Sequence, residues 1–291
     1  MVKIRKPEGV ISEYRHIVSG GRRMRLLIVR PAGMETGQLA PGVLWIHGGG
    51  YISGMPELVY GSRAIDLVTR CGAIVAAPDY TLSVKAPFPA ALRDCHRALL
   101  YVKEHAAELG IRSDQIMVGG ESAGGGLAAA LCMYAADHRT VNIAFQMPLY
   151  PMLDCYDTES SRDNHAKVWN TAKNHAAWDV YLRGMRHKRI PCYASPALRR
   201  NYRGLPPCYT FVGDLEPFLD ETLAYVRNLK RAGVEARVDV YKGFYHAYDM
   251  MCPETEEAKR AADVFVQRFS EACSRYRAPQ NYFGNRQGSR K

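Results

Sequence analysis

A serine between glycines is the first residue of this sequence with the setting for nucleophilic chemistry. Ser122 lies in the run 120–124, GESAG, which has the spacing G-x-S-x-G. An apolar run, residues 116–118, precedes it and a run of small residues, 127–134, follows it. The serine therefore falls at a predicted strand-to-helix turn, where flanking glycines permit a sharp bend that exposes the hydroxyl. A tight turn without chemistry is the alternative, and the partners of the serine decide between the two.

A glycine run supplies candidate donors for a developing oxyanion. Residues 48–50 are all glycine and directly follow the apolar run 43–46, which is typical of a strand buried on both faces. Amides without side chains can turn towards one point. The amides of Gly49 and Gly50, with that of Ala123, are therefore predicted to form an oxyanion hole, and a merely flexible loop is the alternative.

A serine nucleophile also needs a base, and His246 has the placement expected of one. It lies in the run 243–248, GFYHAY, beyond the last predicted strand and before the last predicted helix. Most of the other histidines fall in an edge strand, in predicted helices or in a polar insertion. His246 is therefore the predicted base.

The acid that orients the base is less sharply defined. The run 213–221, GDLEPFLDE, follows a predicted strand and contains four carboxylates. Asp220 and Glu221 suit the first turn of the following helix, where their charge complements the helix dipole. Either Asp214 or Glu216 has the reach to contact an imidazole, so the residues alone leave both open.

Alternating strand and helix patterns must position these residues. Two runs around a Ser-Gly-Gly turn predict an edge hairpin, and further apolar runs alternate with helical ones. The predicted strands are 13–18, 22–29, 43–46, 73–77, 116–118, 144–150, 208–212 and 236–241, and the predicted helices are 58–68, 92–109, 127–134, 220–231 and 254–272. Such alternation predicts an α/β fold with a mostly parallel sheet of about eight strands and helices on both faces.

The polar stretch 154–205 interrupts this alternation. About 50 residues bury little core of their own, so the stretch is predicted to form a helical cap over the serine together with about residues 1–12. Its aromatic residues Trp169, Trp178 and Tyr181 are predicted, with Tyr51, to line the substrate pocket. Packing of the cap onto the main domain is the alternative role for the same rings.

Composition bounds the remaining function classes. The 291 residues carry a formal charge of +10, but the basic residues are dispersed, so nucleic-acid binding is not expected. The start of the chain shows no signal peptide and no run is long enough to span a membrane, which predicts a cytoplasmic protein. The eight cysteines are scattered, typical of reduced thiols. Residues 1–291 are predicted to form a single domain, with 279–291 as a flexible tail.

The motifs resemble those of the bacterial hormone-sensitive-lipase-like carboxylesterases, a family of α/β-hydrolases. The similarity runs from about Pro41 to the final helix, and it is carried by HGGGY at 47–51, DY at 79–80 with PFPAA at 87–91, GESAGG at 120–125, YPMLD at 150–154 and GFYH at 243–246. Glu216 occupies the acid's place in the family's pattern D-P-x-x-D-E. The resemblance therefore favours Glu216 over Asp214 as the acid.

Three departures from the family pattern bear on the site. Glu121 replaces the usual Asp of the elbow, the run 80–85 reads YTLSVK where Y-R-L-A-P-E is usual, and Ala247 with Tyr248 replaces Gly and Phe after the histidine. The first two are expected to alter support of the oxyanion loop or the neighbouring surface. None of the three removes a predicted catalytic group.

The resemblance implies hydrolysis of short-chain acyl esters of small molecules, acetyl esters among them, through an acyl-enzyme on Ser122. It requires no metal and no cofactor, and a homodimer is compatible with it. Two other functions stay open: a non-catalytic ligand-binding receptor on the same fold, and an amidase or peptidase that uses the same triad.

Overall fold

A single eight-stranded sheet forms the centre of the molecule. The computed structural model describes residues 5–35, 37–185 and 187–280. The strands follow the order β1-β2-β4-β3-β5-β6-β7-β8, and β2 runs antiparallel to its neighbours β1 and β4. All other neighbouring strands are parallel. The predicted α/β architecture, with its edge hairpin and eight strands, is confirmed.

The elements follow one another in the alternation that the sequence predicts. The strands are β1 Val10–Ser19, β2 Arg22–Pro31, β3 Ala40–Ile46, β4 Ile74–Pro78, β5 Ile111–Glu121, β6 Phe145–Leu149, β7 Cys208–Gly213 and β8 Ala236–Tyr241. The helices are α1 Arg63–Cys71, α2 Ala90–Glu104, α3 Ala106–Leu109, α4 Ala123–His138, α5 Glu159–Arg162, α6 Thr171–Leu182, α7 Leu219–Arg231, α8 Tyr248–Met251 and α9 Glu256–Arg275. Short 3₁₀ turns span Pro56–Gly61, Arg183–Met185 and Pro196–Leu198.

Helices cover both faces of the sheet and bury two apolar cores. On one face, α1 and α9 contact each other and contribute Leu67 and Phe265 to a core that includes Trp45 of β3. On the other face, α2 and α4 contribute Leu99 and Leu131. The central strands β3 and β4 are apolar throughout and fully buried, as is typical of parallel strands covered on both faces.

The carboxyl ends of the parallel strands meet at one edge of the sheet. The glycine loop leaves β3, Ser122 follows β5, and Tyr150 follows β6. Glu216 lies after β7 and His246 after β8. Parallel strands thus bring Ser122 and His246 together, although they are 124 positions apart in the chain.

Two predicted helices differ from those observed. The predicted helix 58–68 is a 3₁₀ turn followed by α1, because Ser62 takes an extended conformation and its side chain accepts a hydrogen bond from the Ala64 amide as an N-cap. The predicted helix 92–109 is interrupted at His105, which leaves helical geometry between α2 and α3. The first break comes from local capping and the second from the backbone conformation of His105, and apolar periodicity reports neither.

The N-terminal part of the predicted cap is wrong where the structure describes it. Residues 10–12 begin β1 and pair with residues 29–31 of β2. Since β1 runs in the direction of β4, its start lies at the amino edge of the sheet, opposite Ser122. Residues 1–4 lie outside the described residues.

The predicted flexible tail also begins too early. Gln280 exchanges two hydrogen bonds with the backbone of Asn142, at 3.0 and 2.7 Å, and the Ala278 amide donates to the carbonyl of Asp114 at 2.8 Å. Residues 279 and 280 are therefore docked on the domain, and 281–291 lie outside the described residues.

The insertion after β6 divides into two parts. Its first part, through α6, packs over the carboxyl edge, where Tyr181 contacts Tyr51 of the glycine loop. Its last part lies on the flank, because Tyr202 and Leu205 join an apolar cluster with Leu229 of α7. No helix among the described residues is long and apolar enough to cross a membrane.

Candidate active site

Ser122 occupies a strained turn between β5 and α4. Its backbone angles are φ 59° and ψ −123°, a combination that L-residues adopt only when the surroundings enforce it. The Ser122 amide donates to the carbonyl of Leu149, and its carbonyl accepts from the Met152 amide, each at 3.0 Å. A Cβ on Gly124 would lie 2.0 Å from the carbonyl oxygen of Ile46, so only glycine lets the helix approach β3 this closely.

A hydrogen-bonded chain joins the serine to a histidine and a carboxylate. Ser122 Oγ lies 2.8 Å from His246 Nε2, and His246 Nδ1 lies 2.6 Å from Glu216 Oε2. With the imidazole proton on Nδ1, the ring donates to the carboxylate and accepts from the serine hydroxyl. The side chains of Glu216 and His246 are 2% and 4% exposed, so bulk water does not compete for either bond.

Asp214 lies away from the imidazole. Its Oδ1 accepts a hydrogen bond of 2.7 Å from the Gly243 amide at an exposed position. Glu216 reaches the histidine because its second oxygen, Oε1, accepts from the Gly213 amide at 3.1 Å, which folds the loop back over β7. The structure thus places the longer of the two candidate acids against His246.

The glycine loop packs against the nucleophile turn, where a Cβ on Gly48 would lie 3.2 Å from the Ser122 Cβ. Gly49 and Gly50 have φ of 109° and 60°, and the Gly49 carbonyl accepts hydrogen bonds from the amides of Ile52 and Ser53. The amides of Gly49 and Gly50 donate to no other backbone carbonyl of the described residues. The Ala123 amide opens α4 and has no acceptor within the helix. Among the described residues, these three N–H groups therefore have no backbone acceptor that would compete with an anion.

The neutral side chain of His47 supports the glycine loop. The ring of His47 stacks on Tyr80 at 4.2 Å, and the Tyr80 hydroxyl donates to the His47 carbonyl at 3.1 Å. Burial lowers the pKa of His47 to about 4. At neutral pH the ring carries no charge, and its Nδ1 lies 2.8 Å from the Gly48 carbonyl.

Three aromatic rings surround the imidazole of His246. Phe218 and Tyr150 meet it edge-on, with ring centroids at 5.1 and 5.2 Å, and Trp169 is tilted against it at 6.2 Å. Trp169 is one of the predicted pocket residues. The interpretation of the sequence missed Phe218 and Tyr150 as neighbours of the base, although both lie within motifs that carry the resemblance.

The other predicted pocket residues form a buried stack, here called the roof stack, of Tyr51, Trp178 and Tyr181. The rings of Tyr51 and Tyr181 stack at 4.0 Å, and Trp178 packs on both. The Tyr51 hydroxyl donates to the Met152 carbonyl at 3.0 Å. At 1–4% exposure these three side chains fasten α6 to the glycine loop, which is the alternative role that the sequence left open.

A second set of buried groups lies on the α1 side of the elbow. This floor cluster consists of Glu121, Arg63 and Asp249. Glu121 Oε2 accepts from the Trp45 indole at 2.7 Å, and Oε1 accepts from the Arg63 amide at 3.2 Å. Burial, with the nearby charge of Asp249, raises the pKa of Glu121 to about 8. The longer side chain that replaces the family's usual Asp thereby ties the elbow to β3, the strand that carries the glycine loop.

Comparison with known proteins defines the class. A family model for the α/β hydrolase fold matches residues 43–250. The esterase LipI of Mycobacterium tuberculosis is 32% identical over 211 residues, which are 72% of this chain and 66% of LipI. The ethyl acetate hydrolase of Pseudomonas putida is 25% identical over 264 residues, 90% of this chain and 82% of that protein. The chain therefore belongs to the α/β-hydrolase family.

Solved structures agree with this assignment and narrow it. A bacterial heroin esterase superposes with a TM-score of 0.86 at 30% identity, over 91% of this chain and 85% of that chain. Together with the named esterases, it places the chain among the hormone-sensitive-lipase-like carboxylesterases. The match spans about two thirds of the length of LipI.

Proposed function

We propose that this protein is a serine carboxylesterase that hydrolyses short-chain acyl esters of small molecules through an acyl-enzyme. The observation that carries the proposal is the chain of hydrogen bonds from Ser122 through His246 to Glu216, at 2.8 and 2.6 Å. A serine with a correctly oriented imidazole is activated for attack on a carbonyl carbon.

The reaction begins with attack of Ser122 Oγ on the ester carbonyl while His246 Nε2 takes the hydroxyl proton. Glu216 holds the imidazole and stabilises its charged form. The amides of Gly49, Gly50 and Ala123 bind the oxyanion of the tetrahedral intermediate. His246 then gives its proton to the leaving alkoxide, and the acyl group stays on the serine.

Water completes the cycle by the same steps. His246 takes a proton from a water molecule as its oxygen attacks the acyl-enzyme, and the second tetrahedral intermediate uses the same three amides. Its collapse returns the proton to Ser122 Oγ and releases the carboxylic acid.

Aromatic walls favour small acyl groups. The Trp169 indole packs against the glycine loop so closely that a Cβ on Gly50 would lie 2.4 Å from its Cη2 atom. Ser122 itself is only 6% exposed. The relative that hydrolyses ethyl acetate, an ester of a two-carbon acid, is consistent with this limit.

A matched substrate series tests the proposal. We expect p-nitrophenyl acetate and butyrate to be hydrolysed with kcat/KM at least about tenfold above the octanoate, because each methylene that does not fit loses binding energy. The p-nitroanilide of acetate serves as the amide control and should react more slowly. Absence of ester turnover above buffer, or faster turnover of the anilide, would contradict an esterase.

A further inference from the structure

A buried ion pair beside the histidine loop takes no part in the reaction described above. We propose that Asp249 and Arg63 are positioning residues for His246, which hold its loop against the elbow and set the electrostatic field at the imidazole. The inference rests on the proposed function, in which His246 is the base, and it adds two residues that the reaction chemistry does not use.

The ion pair joins the histidine loop to α1. Asp249 lies in α8, three positions after His246, and Arg63 is the first residue of α1. Arg63 Nε lies 3.2 Å from Asp249 Oδ2, where the two side chains are 11% and 1% exposed. Neither oxygen of Asp249 accepts a hydrogen bond of good geometry from the described residues. The positive charge of Arg63 is the largest favourable influence on this buried carboxylate, and the Tyr150 hydroxyl and the backbone of Asp249 add smaller ones.

Arg63 also connects the pair to the nucleophile. Its backbone amide donates to Glu121, the residue directly before Ser122, while its side chain reaches Asp249. Its Nη1 lies 2.9 Å from Asp66, which fixes the guanidinium on α1. Between His246 and Asp249, Ala247 takes a left-handed φ of 56°, so the loop is held in a conformation that alanine disfavours. One arginine thus bridges the two segments that carry the serine and its base.

Tyr150, whose ring contacts His246, lies among the ionisable groups of this region. The hydroxyl of Tyr150 lies in the fields of Asp249, Glu121, Glu216 and Arg63. Burial raises the pKa of Asp249 to about 6, with Arg63 acting to lower it and Glu216 to raise it. From β8, Tyr241 also faces Asp249. At neutral pH Asp249 therefore carries a negative charge next to the histidine loop.

Opposite charges have opposite effects on the imidazole. The negative charge of Asp249 favours protonated His246, and the positive charge of Arg63 disfavours it. A buried ion pair stabilises a fold little compared with apolar residues of similar volume. Its consequence is therefore expected in the pKa of His246 and in turnover, beyond any change in stability.

The experiment is an NMR titration of the His246 imidazole, which needs no substrate. In Asp249→Asn, which keeps the side-chain volume, we expect the pKa of His246 to fall by about half a unit. Adding Arg63→Met to that variant should raise the pKa again towards the wild-type value, because both opposing charges are then gone. If Asp249→Asn acted only by disrupting the loop, the further substitution Arg63→Met would not return the pKa of His246 towards the wild-type value.

An ion pair on the same helix supplies the control. Arg70 of α1 pairs with Asp263 of α9 at 2.8 Å, but both side chains are well exposed. Arg70→Met should leave the pKa of His246 within about 0.2 unit, because solvent screens the charge. For p-nitrophenyl acetate, Asp249→Asn should lower kcat about tenfold with KM changed less than threefold, the pattern of a lost orienting interaction.

The proposal is overturned if folded Asp249→Asn titrates like the wild type, or if the double variant lowers the pKa further. Should the double variant fail to fold, Asp249→Asn with Arg63→Lys replaces it: that pair keeps the positive charge and must retain the lowered pKa. Lack of esterase activity in the wild type would refute the proposed function and leave this titration intact.

Discussion

The two sides of the elbow are built from different chemistry. On the α6 side, the roof stack holds the glycine loop with three buried rings and one hydrogen bond to a carbonyl. On the α1 side, the floor cluster holds the elbow with two carboxylates and an arginine, all nine-tenths or more buried. Aromatic rings determine the shape of the site and carry no charge, whereas buried charged groups shift the pKa values of nearby groups. The α6 side of the elbow is therefore expected to determine which substrates fit, and the floor cluster to determine the protonation of nearby groups.

The largest expected effect is at Ser122, which lies between the two sides of the elbow. Ser122→Ala removes the nucleophile while the turn, with its backbone hydrogen bonds, is unchanged. Turnover of p-nitrophenyl acetate should fall by on the order of 10⁴ or more. Measurement at equal folded fraction, checked by circular dichroism, decides the matter: activity within about tenfold of the wild type would remove Ser122 from the reaction.

The acid is tested by two amide variants of one loop. Glu216→Gln leaves the imidazole without its charged partner, and a loss of about 10³–10⁴ in kcat is expected. Asp214→Asn is the matched control, since among the described residues the Asp214 carboxylate accepts a hydrogen bond from the surface amide of Gly243 and none from His246. It should stay within about tenfold of the wild type. The reverse order of effects would show that the loop moves in solution and that Asp214 orients the base.

Trp169 tests the role of the roof side in substrate choice. Trp169→Ala removes the indole that covers Gly50, so the octanoate-to-acetate ratio of kcat/KM should rise about tenfold or more. Trp169→Phe is the control that retains a ring, and its ratio should lie between the two. An unchanged ratio in the alanine variant would assign the chain-length limit to other groups.

The comparison also shows where sequence reasoning succeeds. The eight strands and the ends that carry Ser122, Gly49 and His246 follow from apolar periodicity and chain order, because parallel strands must share one carboxyl edge. The choice of Glu216 over Asp214 required a motif register. Both carboxylates follow the same strand, but the Gly213 amide donates to Glu216, which contacts His246, and the Gly243 amide donates to Asp214, which does not.

Sequence spacing does not predict the contacts within the roof stack or the floor cluster. Trp169 and Trp178 share one insertion, yet one covers the glycine loop and the other is buried in the roof stack. Arg63 lies in α1 and Asp249 in α8, and neither segment contains a sequence pattern that predicts the contact between them. Such pairings depend on how loops and helices dock, which apolar periodicity does not encode.

The smallest expected effect concerns the pH dependence of stability through Glu121. Its pKa is raised from 4.5 to about 8 in the folded chain, because burial penalises the charged form. Between these values the folded state binds more protons than the unfolded state, so Glu121 makes the protein less stable as pH rises. Glu121→Gln keeps the side-chain length and acceptor but cannot ionise. Relative to the wild type, its free energy of unfolding should therefore rise by about 1–3 kcal/mol between pH 5.5 and pH 8, as followed by urea unfolding.

The control is a carboxylate whose pKa shifts the other way. Asp137 is paired with Arg199 near the surface, which lowers its pKa, so Asp137→Asn should show no such rise over the same range. A floor cluster in which buried Glu121 is protonated at neutral pH predicts this difference. The rings of the roof stack have no equivalent in this range, since burial raises the pKa of Tyr51 well above 10. A flat difference curve for Glu121→Gln would mean that the floor cluster stays ionised and solvated in solution, and the assignment of protonation control to the floor would fail with it.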